Sequence, residues 1–144
     1  MPYVRISLLR GKKTSYLNAL SESLHQALVE SFAVPLADRF QIIQQLAPEE
    51  FMFDRHYLCG PRSDDFVLIS ICAGRPRDTS TKQAFYCRLV ELLAKSPGIR
   101  SQDVMVVINT TALDEWSFGD GVVTLLADQL SIPGGFDMNR DACS

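Results

Sequence analysis

Phe66-Val67-Leu68-Ile69-Ser70-Ile71-Cys72-Ala73-Gly74-Arg75-Pro76-Arg77-Asp78-Thr79-Ser80 is the stretch that decides the fold. A largely apolar run that stops at a Gly-Arg-Pro-Arg turn reads as a buried strand. Asp78, Thr79 or Ser80 can then cap a helix by accepting an orphan backbone N–H. That helix carries Ala84, Phe85, Leu89, Leu92 and Leu93 at helical spacing and ends at Ser96-Pro97-Gly98. Val104 to Asn109 reads as a further strand. The stretch therefore opens a strand–helix–strand unit.

The same order of elements has already occurred once. Residues 3 to 9 alternate, with Val4, Ile6 and Leu8 on one side and Tyr3, Arg5 and Ser7 on the other. Arg10-Gly11-Lys12-Lys13 turns, and Thr14 or Ser15 is placed to cap a helix. Leu17, Leu20, Leu24, Leu28 and Phe32 form its apolar stripe, and Val34-Pro35 is expected to end it. Residues 39 to 46 read as a second strand. The two units are offset by about 64 residues, so that Pro2 falls opposite Phe66, Ser15 opposite Thr79 and Asp38 opposite Gln102. The fold class is α/β (α+β): two βαβ units, each right-handed with a parallel strand pair, joined in one four-stranded sheet. Two helices on one face leave Ile42, Leu68 and Val107 on the other, and association between copies is the simplest cover for them.

The remaining segments are less regular. Residues 47–65 are polar, contain Pro48, Gly60 and Pro61, and are expected to hold a short strand at 51–53. Trp116 to Gly121 reads as a short strand or turn, and Val122 to Leu130 as a brief helix. A polar, mobile tail over 131–144 completes one domain, 1–144, with its core in 2–130.

Composition limits the function. With 144 residues the chain fits one domain that needs no metal or disulfide to hold it. A net charge of -3 argues against nucleic acid as the main partner, since phosphate backbones require a concentrated basic face. No apolar run reaches the roughly 18 residues of a membrane span. Met1-Pro2-Tyr3-Val4-Arg5 lacks the pattern of a signal peptide, so the protein is read as cytoplasmic. Cys59, Cys72, Cys87 and Cys143 match no zinc spacing, and His25 and His56 stand far apart. These cysteines are expected to be reduced, with Cys72 buried as a small hydrophobe. Asn109-Thr110-Thr111 matches a glycosylation sequon, but nothing suggests secretion. No phosphate loop and no GxSxG are present. No metal or organic cofactor is expected.

Four places carry possible chemistry. Removal of Met1 would leave Pro2 as a secondary amine on a strand end, where an α-amino group titrates near about 7.7–8.0; many chains begin Met-Pro without consequence. Arg75 and Arg77 flank a rigid proline beside a helix N-terminus, suited either to bidentate capture of a carboxylate or to plain solvation. Asp38 either pairs with Arg39 or serves an adjacent amine or water. Trp116 and Phe118 alternate, so their rings share a side, as core packing or as a pocket wall.

Together these features resemble the tautomerase superfamily, and within it the malonate semialdehyde decarboxylase family. The resemblance rests on the Met-Pro start, Phe32-Ala33-Val34-Pro35 running into Asp38-Arg39-Phe40-Gln41, Arg75-Pro76-Arg77 and Trp116-Ser117-Phe118-Gly119. It covers Pro2 to about Leu130. It implies two βαβ units related by a pseudo-twofold and a homotrimer with the sheets facing inward. It also implies Pro2 as the catalytic amine, Asp38 as its acidic partner, Arg75 and Arg77 as the carboxylate pair, and Trp116 and Phe118 as an apolar wall. Phe40, also expected to line the substrate site, departs from the tyrosine of that pattern and so loses a hydroxyl.

The activity implied is cofactor-independent decarboxylation of malonate semialdehyde to acetaldehyde and carbon dioxide. Keto–enol tautomerisation of phenylpyruvate-like 2-oxo acids and hydration of haloacrylic or acetylenic acids are the enzymatic alternatives. A signalling or binding module on the same scaffold, in the manner of macrophage migration inhibitory factor, is the non-enzymatic one.

Overall fold

The computed structural model describes residues 2–124. The expectations for removal of Met1 and for the segment from residue 125 to 144, including most of the brief helix and the whole tail, lie outside the described residues. Val122 to Thr124 are not helical.

Six main elements follow in order: β1 (Pro2–Leu9), α1 (Thr14–Ser31), β2 (Gln41–Leu46), β3 (Val67–Ala73), α2 (Thr79–Lys95) and β4 (Val104–Thr110). They build one sheet of strand order β2-β1-β3-β4. β1 runs parallel to β2 and β3 parallel to β4, while β1 and β3 meet antiparallel. This is the expected architecture, with its two halves joined at the centre. Val4 pairs with Gln41 and Val67 with Val104, thirty-seven residues on in each case, so both halves are closed to the same register.

Alternation fixes which side of the sheet is buried. Val4, Ile6 and Leu8 of β1 and Val67, Ile69, Ile71 and Ala73 of β3 point into the core. Leu20, Leu24, Leu28 and Phe32 meet them from the first helical segment, and Phe85, Leu89, Leu92 and Leu93 from the second. Phe32 and Phe85 touch with ring centroids 5.0 Å apart, joining the two helices on one face. The repeat offset needs correction. Val4 is buried like Val67 and Ile69, not like Leu68, so the strands repeat at an odd offset of 63. An even offset of 64 would turn every side chain of one strand to the other face. The helices start 65 residues apart, at Thr14 and Thr79, because the strand end and turn before α2 take two more residues.

Several local expectations are corrected. Lys13, not Thr14 or Ser15, caps α1, and it uses its own carbonyl to accept from the N–H groups of Tyr16 and Leu17 at 3.0 and 3.2 Å. Asp78 caps α2, accepting from the Thr81 N–H at 2.8 Å. Helix α1 ends before the proline, where Ala33 turns the chain with φ of 53°. Ala84 is exposed, off the buried stripe of α2. Residues 51–53 form no strand. Phe51 and Phe53 instead lay their rings against Phe66, at 5.6 and 4.4 Å. Cys72 is half-buried on the open face of the sheet, because it alternates with the core residues Ile71 and Ala73.

The open face carries Ile42, Met105 and Val107, each 40–47% exposed, as expected for a surface that the helices do not cover. Among the described residues no helix is long and apolar enough to cross a membrane.

At the sheet end away from Pro2, Asp103 is fully buried before β4. Its carboxylate accepts from the Ser63 N–H and hydroxyl, both at 2.6 Å, and from Arg100 Nε at 3.3 Å. Desolvation pushes its pKa up, but the Ser63 hydrogen bonds and Arg100 outweigh this and hold it below the usual carboxylate range. A depressed folded-state pKa contributes stability at neutral pH that disappears as the pH falls through it. Asp103→Ala is therefore expected to cost about 1–3 kcal/mol at pH 7 by orphaning buried donors. Urea unfolding at pH 7 and pH 3 should show the gap to wild type narrowing in acid; an equal gap at both would contradict this account.

Candidate functional site

The antiparallel join of the two halves brings the start of one and the end of the other to the same edge of the sheet. Pro2 opens β1 and is buried opposite Ala73, the last residue of β3. Gly74 and the Arg75-Pro76-Arg77 turn follow Ala73 directly. The parallel strands deliver their neighbours to the same end. Residues 38–40 enter β2, and the Phe40 carbonyl accepts from the Val4 N–H at 2.9 Å. Residues 111–118 leave β4, whose Thr110 pairs with Ala73. The structure thus gathers Pro2, Asp38, Phe40, Arg75, Arg77, Trp116 and Phe118 at one end of the sheet.

The aromatic residues form a ladder. Trp116 stacks on Phe118, with centroids 5.8 Å apart and planes 18° apart, and Phe118 meets Phe40 at 5.6 Å. Phe40 and Phe118 are about half exposed, at 51% and 46%, so the ladder is a surface wall rather than core. The shared side expected for Trp116 and Phe118 is observed. Gly119, Asp120 and Gly121 all take positive φ and turn the chain immediately after it.

The two arginines differ sharply. Arg75 is exposed, and among the described residues its guanidinium makes one long hydrogen bond, Nη2 to the Ala33 carbonyl at 3.5 Å. Arg77 is half-buried. Its Nε and Nη2 donate to the Phe32 carbonyl at 3.1 and 2.9 Å, and its Nη1 donates to the Arg75 carbonyl at 3.1 Å. Its guanidinium also lies 4.0 Å from the centroid of the Phe32 ring. Burial, with the neighbouring Arg75 charge, lowers its pKa to about 10, so it stays charged at neutral pH. Plain solvation, one of the two readings of this turn, does not describe Arg77, whose guanidinium is bonded to backbone carbonyls. Arg77 caps the C-terminal end of α1, where a cation meets the negative end of the helix dipole. Three backbone hydrogen bonds leave it only part of its fork for a ligand.

Asp38 is half-buried in a turn in which its N–H donates to the Pro35 carbonyl at 3.0 Å. Arg39 does not pair with it: the Arg39 guanidinium makes a two-pronged contact with Glu22 of α1, at 2.6 and 3.1 Å.

Two residues at this end were not legible as site residues. His25, on the buried face of α1, holds the Leu36 carbonyl at 2.7 Å, which requires its Nε2 to carry the proton, and so anchors the segment bearing Asp38 and Phe40. Thr111 stands between Trp116 and Ala73. In sequence it shows only as the last residue of a sequon, and its partner Ala73 lies 38 residues away.

A family model described as tautomerase enzyme matches residues 38–119, more than half of the chain. The chain belongs to the tautomerase superfamily. A second model with the same description matches residues 2–58. The probable tautomerase YusQ of Bacillus subtilis (strain 168) is 34% identical over 121 residues, covering 84% of this chain and 95% of its own. The probable tautomerase YrdN of the same organism is 33% identical over 130 residues, covering 90% and 100%. Among solved structures, FG41 malonate semialdehyde decarboxylase inhibited by 3-bromopropiolate superposes with a TM-score of 0.81 at 32% identity, covering 91% of this chain and 99% of that one. Tautomerase-superfamily membership makes this chain an enzyme of that class, structurally close to malonate semialdehyde decarboxylase.

The contrast between the arginines has a consequence for stability. Arg77→Ala is expected to lose about 1–3 kcal/mol, since it removes charged hydrogen bonds at a helix end. Arg75→Ala is expected to stay within about 0.5 kcal/mol of wild type, as an exposed substitution. Urea midpoints decide this, and equal midpoints for the two variants would contradict the cap.

Proposed function

We propose that the protein is a cofactor-independent enzyme in which the free amine of Pro2 acts on small oxo acids, decarboxylating a 3-oxo acid such as malonate semialdehyde. The observation that supports this is the pairing of Pro2 with Ala73, two residues before Arg75 in the chain. Protonated Pro2 polarises the 3-carbonyl by hydrogen bond, or neutral Pro2 adds to that carbonyl and water is expelled to leave a positively charged iminium at C3. As the bond between C2 and the carboxylate breaks, its electron pair moves toward that positive centre. Carbon dioxide leaves, and protonation of C2 gives acetaldehyde directly or, on the iminium route, after water hydrolyses the bond between C3 and the Pro2 nitrogen. Arg75 holds the carboxylate with the breaking bond aligned, and Arg77 fixes the turn while lending part of its fork. Asp38 tunes the amine or orients water. The apolar wall of Phe40, Trp116 and Phe118 favours losing charge as neutral carbon dioxide.

One observation favours a second reading. Three aromatic rings in a ladder, with Phe40 in place of a hydroxyl-bearing ring, suit an aryl 2-oxo acid, and the curated relatives are described as probable tautomerases. In that reading neutral Pro2 moves a proton between carbon and oxygen of phenylpyruvate. The pKa of Pro2 separates the two: low for a base, high for an acid.

The assembly proposed is a homotrimer whose inward sheets cover Ile42, Met105 and Val107. Solved fused 4-OT proteins of the same fold are trimers, and burying this face is the physical reason for the proposal here.

The test is steady-state kinetics on malonate semialdehyde and on phenylpyruvate, with light scattering on the same samples. Arg75→Ala is expected to cost roughly 2–5 kcal/mol in transition-state stabilisation, with lysine recovering only part. Pro2→Ala keeps an amine of different basicity and should slow the reaction without abolishing it. Wild-type rates for Arg75→Ala on both substrates, or a monomer at micromolar concentration, would contradict the respective halves of the proposal.

A further inference from the structure

Thr111 hydrogen-bonds to Trp116 and ties that ring to the site strand. The Trp116 Nε1–H donates to Thr111 Oγ1 at 2.5 Å. The same hydroxyl donates to the Ala73 carbonyl at 3.3 Å, and the Thr111 N–H donates to that carbonyl at 2.8 Å. Ala73 is the residue paired with Pro2. A continuous chain of hydrogen bonds therefore runs from the strand end facing the amine to the indole, and through ring stacking to Phe118 and Phe40.

Stacking on Phe118 sets the plane of the Trp116 ring, and the hydrogen bond to Thr111 sets which way its N–H edge points. Residues 116–118 are neither helix nor strand, and the turn after them is built on three positive-φ residues. Backbone contacts secure the Trp116 peptide, which donates to Leu113 and accepts from Thr124 at 3.3 and 2.9 Å, but they do not fix its side chain. A half-buried indole N–H without a partner would cost a hydrogen bond, so the ring turns to where Thr111 offers one. A serine keeps that hydroxyl; a valine keeps the shape and removes it.

We infer that Thr111 is a positioning residue: its hydroxyl pegs the Trp116 indole to the strand that faces Pro2 and so sets the angle of the aromatic wall. The inference rests on the proposed Pro2 site and assigns a residue that acts on it through Trp116.

Trp116 is the sole tryptophan of the chain, so tryptophan fluorescence reports the surroundings of this ring. In Thr111→Val, acrylamide quenching of Trp116 should rise about two-fold. For whichever of malonate semialdehyde and phenylpyruvate the wild type turns over, kcat should fall about ten-fold with KM within about two-fold, the size of loss expected for a small misplacement at a site. Thr111→Ser should restore both. Wild-type quenching and kcat in Thr111→Val would overturn the inference. Increased quenching with an unchanged kcat, in a protein whose Pro2→Ala variant is impaired, would overturn the positioning role. Equal losses in the valine and serine variants would show that the hydroxyl is not the cause, and would overturn it too. Should Pro2→Ala retain the full rate, the proposed function fails, and the quenching of the valine and serine variants alone decides the peg. Circular dichroism checks folding. If Thr111→Val does not fold, Trp116→Phe and Thr111→Ser supply the test: the first should reproduce the kcat loss and the second should not.

Discussion

The antiparallel pairing of β1 with β3 is the constraint on which the rest of the molecule depends. It runs from Pro2 against Ala73 to Leu8 against Val67 and joins two halves that are each parallel inside. Two parallel units joined this way must place the beginning of one beside the end of the other. The chain's first strand residue and the turn after its third strand become neighbours without any long connection. The same pairing sets alternation on both central strands, so one face is filled by the helices and the other is left for something else to cover.

That geometry explains why chemistry gathers where it does. Loops at one end of a sheet are free to carry polar and aromatic groups because the packed strands and helices hold their ends. Here the segment 32–40, the Arg-Pro-Arg turn and residues 111–118 are tied to one another as well. Arg77 holds the end of α1, His25 holds the Leu36 carbonyl, and Thr111 links Trp116 to Ala73. Each tie fixes a segment that local sequence leaves free. Arg77 is the clearest example of a residue that serves structure first: its donors go to backbone carbonyls, and this leaves its exposed neighbour Arg75 as the more available cation.

Much of the fold was legible because it is written in short-range periodicity. Alternation over Tyr3 to Leu9 and the spacing of Leu20, Leu24, Leu28 and Phe32 each report a buried side directly. The repeat itself was visible, although an offset of 64 and one of 63 differ by a whole face of the sheet, and only the register shows which applies. The gathering of Pro2, Asp38, Arg75, Arg77, Trp116 and Phe118 at one end was readable through resemblance to a family. What escaped was non-local. Arg77 bonds Phe32, forty-five residues away. Arg39 prefers Glu22 to its neighbour Asp38, and Thr111 reaches back to Ala73. No window of sequence contains both partners, so none could show these contacts.

The central claim is that the amine of Pro2 is the reactive centre of this chain. An acetylenic acid tests it most directly, since a related decarboxylase of 32% identity is inhibited by 3-bromopropiolate. The protein should be incubated with 3-bromopropiolate, digested, and the modified peptide located by mass spectrometry. The account predicts a single covalent adduct on the nitrogen of an N-terminal Pro2, slowed when Arg75 is replaced by alanine. An adduct on a cysteine with Pro2 unmodified, or a retained Met1 in active protein, would contradict it.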